Sequence, residues 1–446
     1  MPLIVIVFSL SFIGCLIAAI IFDGVWAFYI YQLVYFLNPG NRWWGSSLPD
    51  LSYSFITVSF MFAGLMIRYK DTASIKYSEL PLSKWIVGIL VIYIFMSFFA
   101  LSPDDHRQSL IEFAKLIIIV GIAYKLINTR KKLDWTLWAY VLGATYIGYV
   151  ATSMGRNRGD RLEGIGTIDA GDSNGTAAIL VPALIFLLYY VWLGKNKYIR
   201  ALAVVCGAFV TNGLVLINSR GAFLAVLVGA SVFVSYMLFS KFQRANQRAT
   251  AIFLVVAGIG GALYVTDDLF WERMETLQEV TEDEGDRGGA HRVEFWIASF
   301  SIMRDYPLGV GVRGYNMVSS RYIDPALTKG GTAHKSVHST WFQGLTEIGW
   351  QGFILFIGLL YSCYSLSRQT KQYLANAGRS DEYFKMVAIE TALLSFLVAA
   401  TFINQFRSEL LYWLILFVAC GANIYYFQDK EKSEKITKEN SGKAFR

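Results

Sequence analysis

Four stretches carry residue types that chemistry needs. In HSTWFQGLTEIGWQG, His338 stands where an apolar run begins, and an imidazole is the side chain best suited to take a proton from a hydroxyl near neutral pH. Counted from His338, the residues Phe342, Leu345, Gly349 and Gly352 recur at helical spacing. The sequence thus predicts one continuous helical stripe, with Leu224, Gly349 and Gly352 as helix-packing positions and the glycines admitting a neighbouring helix. The bland alternative is a polar residue that merely starts a helix.

In SRGAFL, Arg220 falls where a short turn enters an apolar run, with Ser219 available as an N-cap and Leu224 one turn further on the same face. An arginine there adds its charge to the free N–H groups of a helix start, which makes an anion site; otherwise it is an interfacial arginine reaching for headgroups. In DEGDRGGAHRVEFWIASFSIMRDYPLGVGVRGYN and the residues that follow, Arg287, Arg292, Arg304, Arg313 and Arg321 crowd together. Phe295, Trp296, Phe300 and Met303 between them predict an amphipathic helix from Arg292 to Met303, lying along a membrane or over a cavity. The acidic run Glu282–Asp286 lacks calcium-loop spacing and reads as solvated loop. Finally, RLEGIGTIDAGDSNG places Arg161, Asp172 and Asn174 before another apolar run, as a turn or as a substrate-contacting loop. Asp104, Asp105 and His106 look superficially like paired acids for a metal-dependent transferase, but their spacing is unspecific.

The elements that must position these residues are membrane helices. Of 446 residues 55% are hydrophobic and 16% charged, against about a quarter charged in soluble domains. The apolar runs predict an all-α polytopic membrane protein of about 12 to 13 transmembrane helices: 3–22, 24–38, 53–67, 85–101, 110–127, 135–152, 175–193, 201–217, 221–240, 250–266, 341–366, 386–403 and 410–427. Residues 1–428 read as a single membrane domain with one large loop over 267–340, and 429–446 as a disordered tail. Cys15, Cys206, Cys363 and Cys420 all lie in apolar runs, so neither a disulfide nor a metal cluster is expected.

The net charge of +7 is a topological signal and no sign of nucleic-acid binding. Lysine-rich connections such as YKLINTRKKLD, GKNKYIR and RQTKQYLANAGRSDEYFK follow every second span, so all fall on one side, expected to be the cytoplasm. The opposite loops hold many Arg and few Lys. Arginine on a translocated side runs against the topological rule, and its planar fork grips phosphate oxygens in a bidentate way.

Taken together, the motifs resemble the bacterial O-antigen ligase and polymerase family of membrane glycosyltransferases. Arg220 and Leu224 meet its pattern of Arg, three residues, Leu. His338, Ser339, Gly349 and Gly352 meet its pattern of His, Asn or Ser, nine residues, Gly, two residues, Gly. RLEG followed by Asn174, and the segment opening at Arg292, extend the likeness over roughly 155–365. The N-terminal YQLVYFLNPGNRWWG is similar to the exosortase-associated subgroup of probable O-glycosylation ligases, whereas AGDSNG departs from that subgroup's consecutive asparagines. The resemblance implies a GT-C-like fold and a glycosyltransferase that needs no metal or other cofactor. Its donor would be a glycan on a polyprenyl (undecaprenyl) diphosphate carrier, its acceptor a hydroxyl on lipid, protein or glycan, and its site the periplasmic face of the inner membrane.

Residue types then suggest roles: His338 as base, Arg220 and Arg292 on the donor pyrophosphate, and Arg161, Asn174, Arg287 and Arg313 as substrate contacts. Direct displacement would invert the anomeric centre. A repeat-unit polymerase of the same family, or a lipid-linked glycan flippase, are the competing readings. A transporter would place its polar groups near the midplane with repeat symmetry, and here they gather at one face.

Overall fold

The computed structural model describes residues 2–72, 75–159, 161–266, 271, 292–324 and 336–433. Among these every regular element is a helix, as the apolar periodicity predicts. In chain order they are α1 (Leu3–Ile21), α2 (Val25–Leu37), α3 (Tyr53–Ile67), α4 (Pro81–Met96), α5 (Pro103–Leu126), α6 (Arg130–Met154), α7 (Ser173–Leu193), α8 (Lys197–Ile217), α9 (Arg220–Phe239) and α10 (Gln247–Val265). Then follow α11 (Arg292–Asp305), the single turn α12 (Gly314–Val318), α13 (Thr340–Asn376), α14 (Ser380–Ala400) and α15 (Glu409–Ala422). Each of the predicted spans coincides with a helix, and among the described residues 7 helices are long and apolar enough to cross a membrane by length and composition.

Local chemistry sets the ends of these helices. The side chains of Asp172 and Asn196 accept the backbone N–H of Gly175 and Ile199, each at 2.9 Å, and start α7 and α8. Asn218, in the left-handed region at φ 55°, stops α8 and lets α9 begin two residues later. Asp23 and Gly24 separate α1 from α2 as two helices, with the Asp23 carboxylate accepting the N–H of Val25 at 3.0 Å.

Burial sorts the helices into a centre and a rim. Of the most apolar window of α7 78% is buried, and of the span Glu409–Ser433 89%, against 28% for α9. The outer helices therefore show apolar side chains such as Leu227 and Ile252 to their surroundings, the pattern of a bundle solvated by lipid.

Connections sort into two ends, as the lysine pattern predicts. At the lysine-rich end Arg130 pairs with Glu382 at 2.7 Å, Lys385 with Asp134 at 2.5 Å and Arg244 with Asp381 at 2.5 Å. Lys125 donates to the Ile75 carbonyl at 3.2 Å, and Trp192 packs edge-on to Phe384. At the other end loops 38–52, 97–102, 155–172, 306–313, 336–339 and 401–408 bond to one another or to the helix ends between them. Arg42 donates to the Ile165 carbonyl at 2.8 Å, the Leu162 N–H to Leu216 at 3.0 Å, and the Leu101 N–H to Val310 at 3.0 Å.

Several expectations need correction. The helix of the opening motif starts at Thr340, so His338 and Ser339 lie outside it, and it breaks at Gly349, where φ is 67°. The predicted stripe is therefore not continuous. The backbone of Leu308 comes against Gly349, because loop 306–313 inserts into the break. Breaking the helix frees the carbonyls of Thr346 and Glu347, and these accept the N–H groups of Val310 at 2.8 Å and Gly311 at 3.1 Å. Gly352 faces Ile348 of its own helix, and Leu224 is 44% exposed instead of packed inside. The amphipathic helix exists as α11, but Phe300 lies on its exposed side while Ala298, Ser299 and Ile302 join Phe295 and Met303 inside. Residues 429–433 of the predicted tail are helical. Arg287, the acidic run and the remaining tail lie outside the described residues.

Candidate functional site

The end opposite the lysines is organised by loop 401–408, which joins α14 to α15 in the sequence TFINQFRS. Five polar contacts, made by Ile403, Asn404 and Gln405, and the packing of Phe402 make it a hub. Asn404 accepts the Ser339 N–H at 3.0 Å, one residue beyond His338, and its amide donates to the Ser336 hydroxyl. The Thr340 hydroxyl donates to the Ile403 carbonyl at 2.8 Å and accepts the Gln405 N–H at 2.9 Å. The Gln405 side chain donates to the Asp169 carbonyl at 3.0 Å. Phe402 packs against Gly221, the residue after Arg220, and its ring centroid lies 6.3 Å from that of Trp296 on α11. The residues that follow His338 and Arg220, and the helix that Arg292 opens, thus meet the same loop.

His338 is exposed and left-handed at φ 49°. Arg220 begins α9 as expected, but Ser219 does not cap it; the Ser219 hydroxyl donates to Asn174 at 3.0 Å. Arg161 donates to the same Asn174 oxygen at 2.9 Å, so RLEG, Asn174 and SRG come together from three places in the chain. Asp172 is the cap of α7, the structural role its position in a turn suggested. Arg292 opens α11, whose Trp296 stacks on Phe342 at 5.6 Å. Arg304 and Arg321 are exposed on that same segment.

Beneath this layer the strongest polar cluster is one that sequence reasoning missed. Glu347, only 5% exposed, accepts Arg407 Nε at 3.1 Å and Nη2 at 3.2 Å, the Tyr93 hydroxyl at 2.7 Å and the Gln343 amide at 3.0 Å. Burial works against a charge on Arg407, but the adjacent Glu347 carboxylate outweighs it and holds the guanidinium above its ordinary range. A signal for this pair was available: Glu347 is an ionisable residue inside an apolar run, which demands a buried partner. What the sequence lacked was any pointer to Arg407, 60 residues away.

His106 and Asp105 have positional roles. His106 is wholly buried, bonds the Tyr93 carbonyl through Nε2 at 2.8 Å and accepts the Val312 N–H on Nδ1 at 3.3 Å. Asp105 pairs with Arg313 at 3.1 Å. Together they fix the loop that carries Arg313. In loop 155–172 burial raises the Asp169 carboxyl above its ordinary range, opposed in part by hydrogen bonds from the Tyr35 hydroxyl and the Glu409 N–H.

A cleft of about 240 Å³ is lined by Arg313, Ser336, Gln343, Glu347, Asn404 and Arg407 among others, and by Val337, which precedes His338 in the chain. Residues 205–357, which contain Arg220, Arg292, His338, Gly349 and Gly352, match the family model described as O-antigen ligase. Over this stretch, which is under half of the 446-residue chain, the protein is similar to that family. The match supports the likeness to the O-antigen ligase and polymerase family that the motifs carry. No match to a curated protein was found. The matched stretch ends before loop 401–408, so the hub that organises its motifs comes from the C-terminal helices.

Proposed function

We propose that the protein transfers a glycan from a polyprenyl diphosphate carrier to an acceptor hydroxyl at the periplasmic face of the inner membrane, with inversion. The observation that carries this reading is the convergence on loop 401–408 of Ser339 and Gly221, the residues that follow His338 and Arg220, and of α11, inside or beside the stretch that matches the O-antigen ligase family. In the reaction the acceptor oxygen bonds to the anomeric carbon, the bond from that carbon to the diphosphate oxygen breaks, and the carrier diphosphate leaves with the electron pair. His338 takes the acceptor's proton. Arg220 and Arg292 neutralise the charge that grows on the leaving diphosphate, where a bidentate fork suits phosphate oxygens better than an ammonium. Arg161 and Asn174, joined at 2.9 Å, brace the start of α9 through Ser219.

The test is transfer by the purified full chain from a polyprenyl-diphosphate glycan, read by mass spectrometry with the anomer assigned by NMR. A single transfer per acceptor marks a ligase, and a ladder a polymerase. His338→Ala should lower the rate by roughly a hundred- to ten-thousand-fold while donor binding persists. Retention of more than about a tenth of the rate would remove base catalysis by this residue. Arg220→Lys and Arg292→Lys should each weaken both donor affinity and rate despite the kept charge.

A further inference from the structure

Tyr31 and Tyr35 stand one turn apart on α2, and each hydroxyl donates to a carboxylate, Tyr31 to Glu409 at 2.6 Å and Tyr35 to Asp169. That spacing sets the two carboxylates side by side, since side chains four apart on a helix lie about 5–6 Å from each other at Cβ. Asp169 also accepts the backbone N–H of Glu409 at 2.7 Å. Both carboxylates are half-buried, and no lysine or arginine pairs with either among the described residues. Arg42 is turned to the Leu37 and Ile165 carbonyls, Arg161 to Asn174, and Arg407 to Glu347. On α6 the Tyr140 hydroxyl donates to the Ile179 carbonyl at 2.7 Å.

Two carboxylates held this close without a counter-ion resist ionising together, and they titrate as a pair. The hydrogen bonds say where a retained proton sits. Asp169 accepts from three donors, the Tyr35 hydroxyl, the Glu409 N–H and, at 3.5 Å, the Thr167 hydroxyl, as an ionised carboxylate does. Glu409 accepts from Tyr31 alone, on Oε2, and its Oε1 has no protein donor among the described residues. An acceptor in want of a donor lies against the same pair. Gln405, 3% exposed, gives its Nε2 to the Asp169 carbonyl at 3.0 Å, while its Oε1 has no hydrogen-bond partner. A carboxylic O–H on Glu409, one turn further along the chain, is the donor this corner lacks. The joint matters because of what it connects. Asp169 belongs to loop 155–172, whose Arg161 meets Asn174 and, through it, Ser219 beside Arg220; Glu409 follows directly on loop 401–408.

We propose that Asp169 and Glu409 share one proton, carried by Glu409, and that this proton latches loop 155–172 to the start of α15, making the two carboxyls positioning residues for Arg220. The bearing on Arg220 rests on the glycosyl-transfer reading; the proton does not. Two measurements on the full-length protein in detergent test the proton. At neutral pH the infrared difference between wild type and Glu409→Gln should contain a carboxylic-acid C=O band that the variant lacks, and its absence would overturn the inference. Glu409→Gln keeps an acceptor for Tyr31 and puts an N–H where the proton was, so it should fold as the latched form. In melts from about pH 4 to about pH 9 the two should agree at the acid end, where even an unfolded carboxyl near ~4 is half-protonated. As the native pair loses its proton with rising pH, wild type should fall below the variant by about 3 °C or more. Parallel curves would overturn the inference. So would stabilisation of wild type, and not of Glu409→Gln, by added Na⁺ or Ca²⁺ at neutral pH, which would give the pair a metal cation in place of the proton.

In the transfer assay, moving from neutral pH to about pH 9 should raise the donor KM of wild type about threefold or more over that of Glu409→Gln at the same pH, with the acceptor KM of the two within about twofold. Comparing the two proteins at one pH cancels the titration of His338, which both carry. An equal donor KM would overturn the positioning role. If the wild type forms no glycosidic bond while the infrared band and the melts behave as stated, the catalytic reading fails and the proton latch stands.

Discussion

Removing Arg407 should leave Glu347 as a buried, uncompensated carboxylate. Two of its four hydrogen bonds, at 3.1 and 3.2 Å, come from the guanidinium; the Tyr93 hydroxyl and the Gln343 amide, which remain, are neutral donors. Breaking a buried pair by deleting one partner costs about 3–5 kcal/mol, because the surviving charge has lost both water and counter-ion. Arg407→Met and Glu347→Gln should each be destabilising on that scale. The double variant carries no unpaired charge, so it should be milder than the sum of the two by roughly 2–3 kcal/mol. The measurement is a double-mutant cycle from denaturant unfolding of the purified protein in detergent micelles at neutral pH. A coupling under about 0.5 kcal/mol would match an exposed pair and refute the reasoning that this pair is a buried one in the wall of the cleft. The transfer assay adds a second readout. Both single variants should lose activity even where they remain folded, since Glu347 and Arg407 line the cleft.

Gly349→Ala should cost about 1–3 kcal/mol in backbone strain alone at φ 67° and ψ −175°, a region open essentially to glycine, and more from collision with the Leu308 carbonyl, lowering both melting temperature and activity. Gly352→Ala meets only the Ile348 side chain of its own helix and should be the milder of the two. The raised Asp169 carboxyl means that the native state holds a proton more readily than the unfolded one, whose carboxyl titrates near ~4. Its contribution to stability is then full below that value and is lost as pH rises through the folded value. Asp169→Asn should flatten this slope in melts taken across pH. For topology, S46C and K195C lie at opposite ends of the bundle and are both exposed, so an impermeant thiol reagent on outer-membrane-permeabilised cells should label the first and spare the second. Equal labelling would overturn the proposed periplasmic face.

The sequence by itself determined the helical membrane class and the sorting of its connections into two ends. Apolar run length and lysine placement are one-dimensional properties, and lysine-rich connections meet at one end through contacts such as Arg130 with Glu382 and Lys385 with Asp134. It also singled out His338, Arg220, Arg292 and Asn174, because helix starts and unusual charges are local signals. Tertiary structure decided the rest. Gly349 reads as a packing glycine in a helical pattern, yet it is a helix break, since the energy that favours the break comes from amides of Val310 and Gly311 that approach from a distant loop. The pairing of Glu347 with Arg407, the support of Arg313 by Asp105 and His106, and the service of NQFR as the hub all depend on which buried polar groups meet across tens to hundreds of residues. A buried charge announces that a partner is needed but not where in the chain it lies, and only the packed bundle supplies that answer.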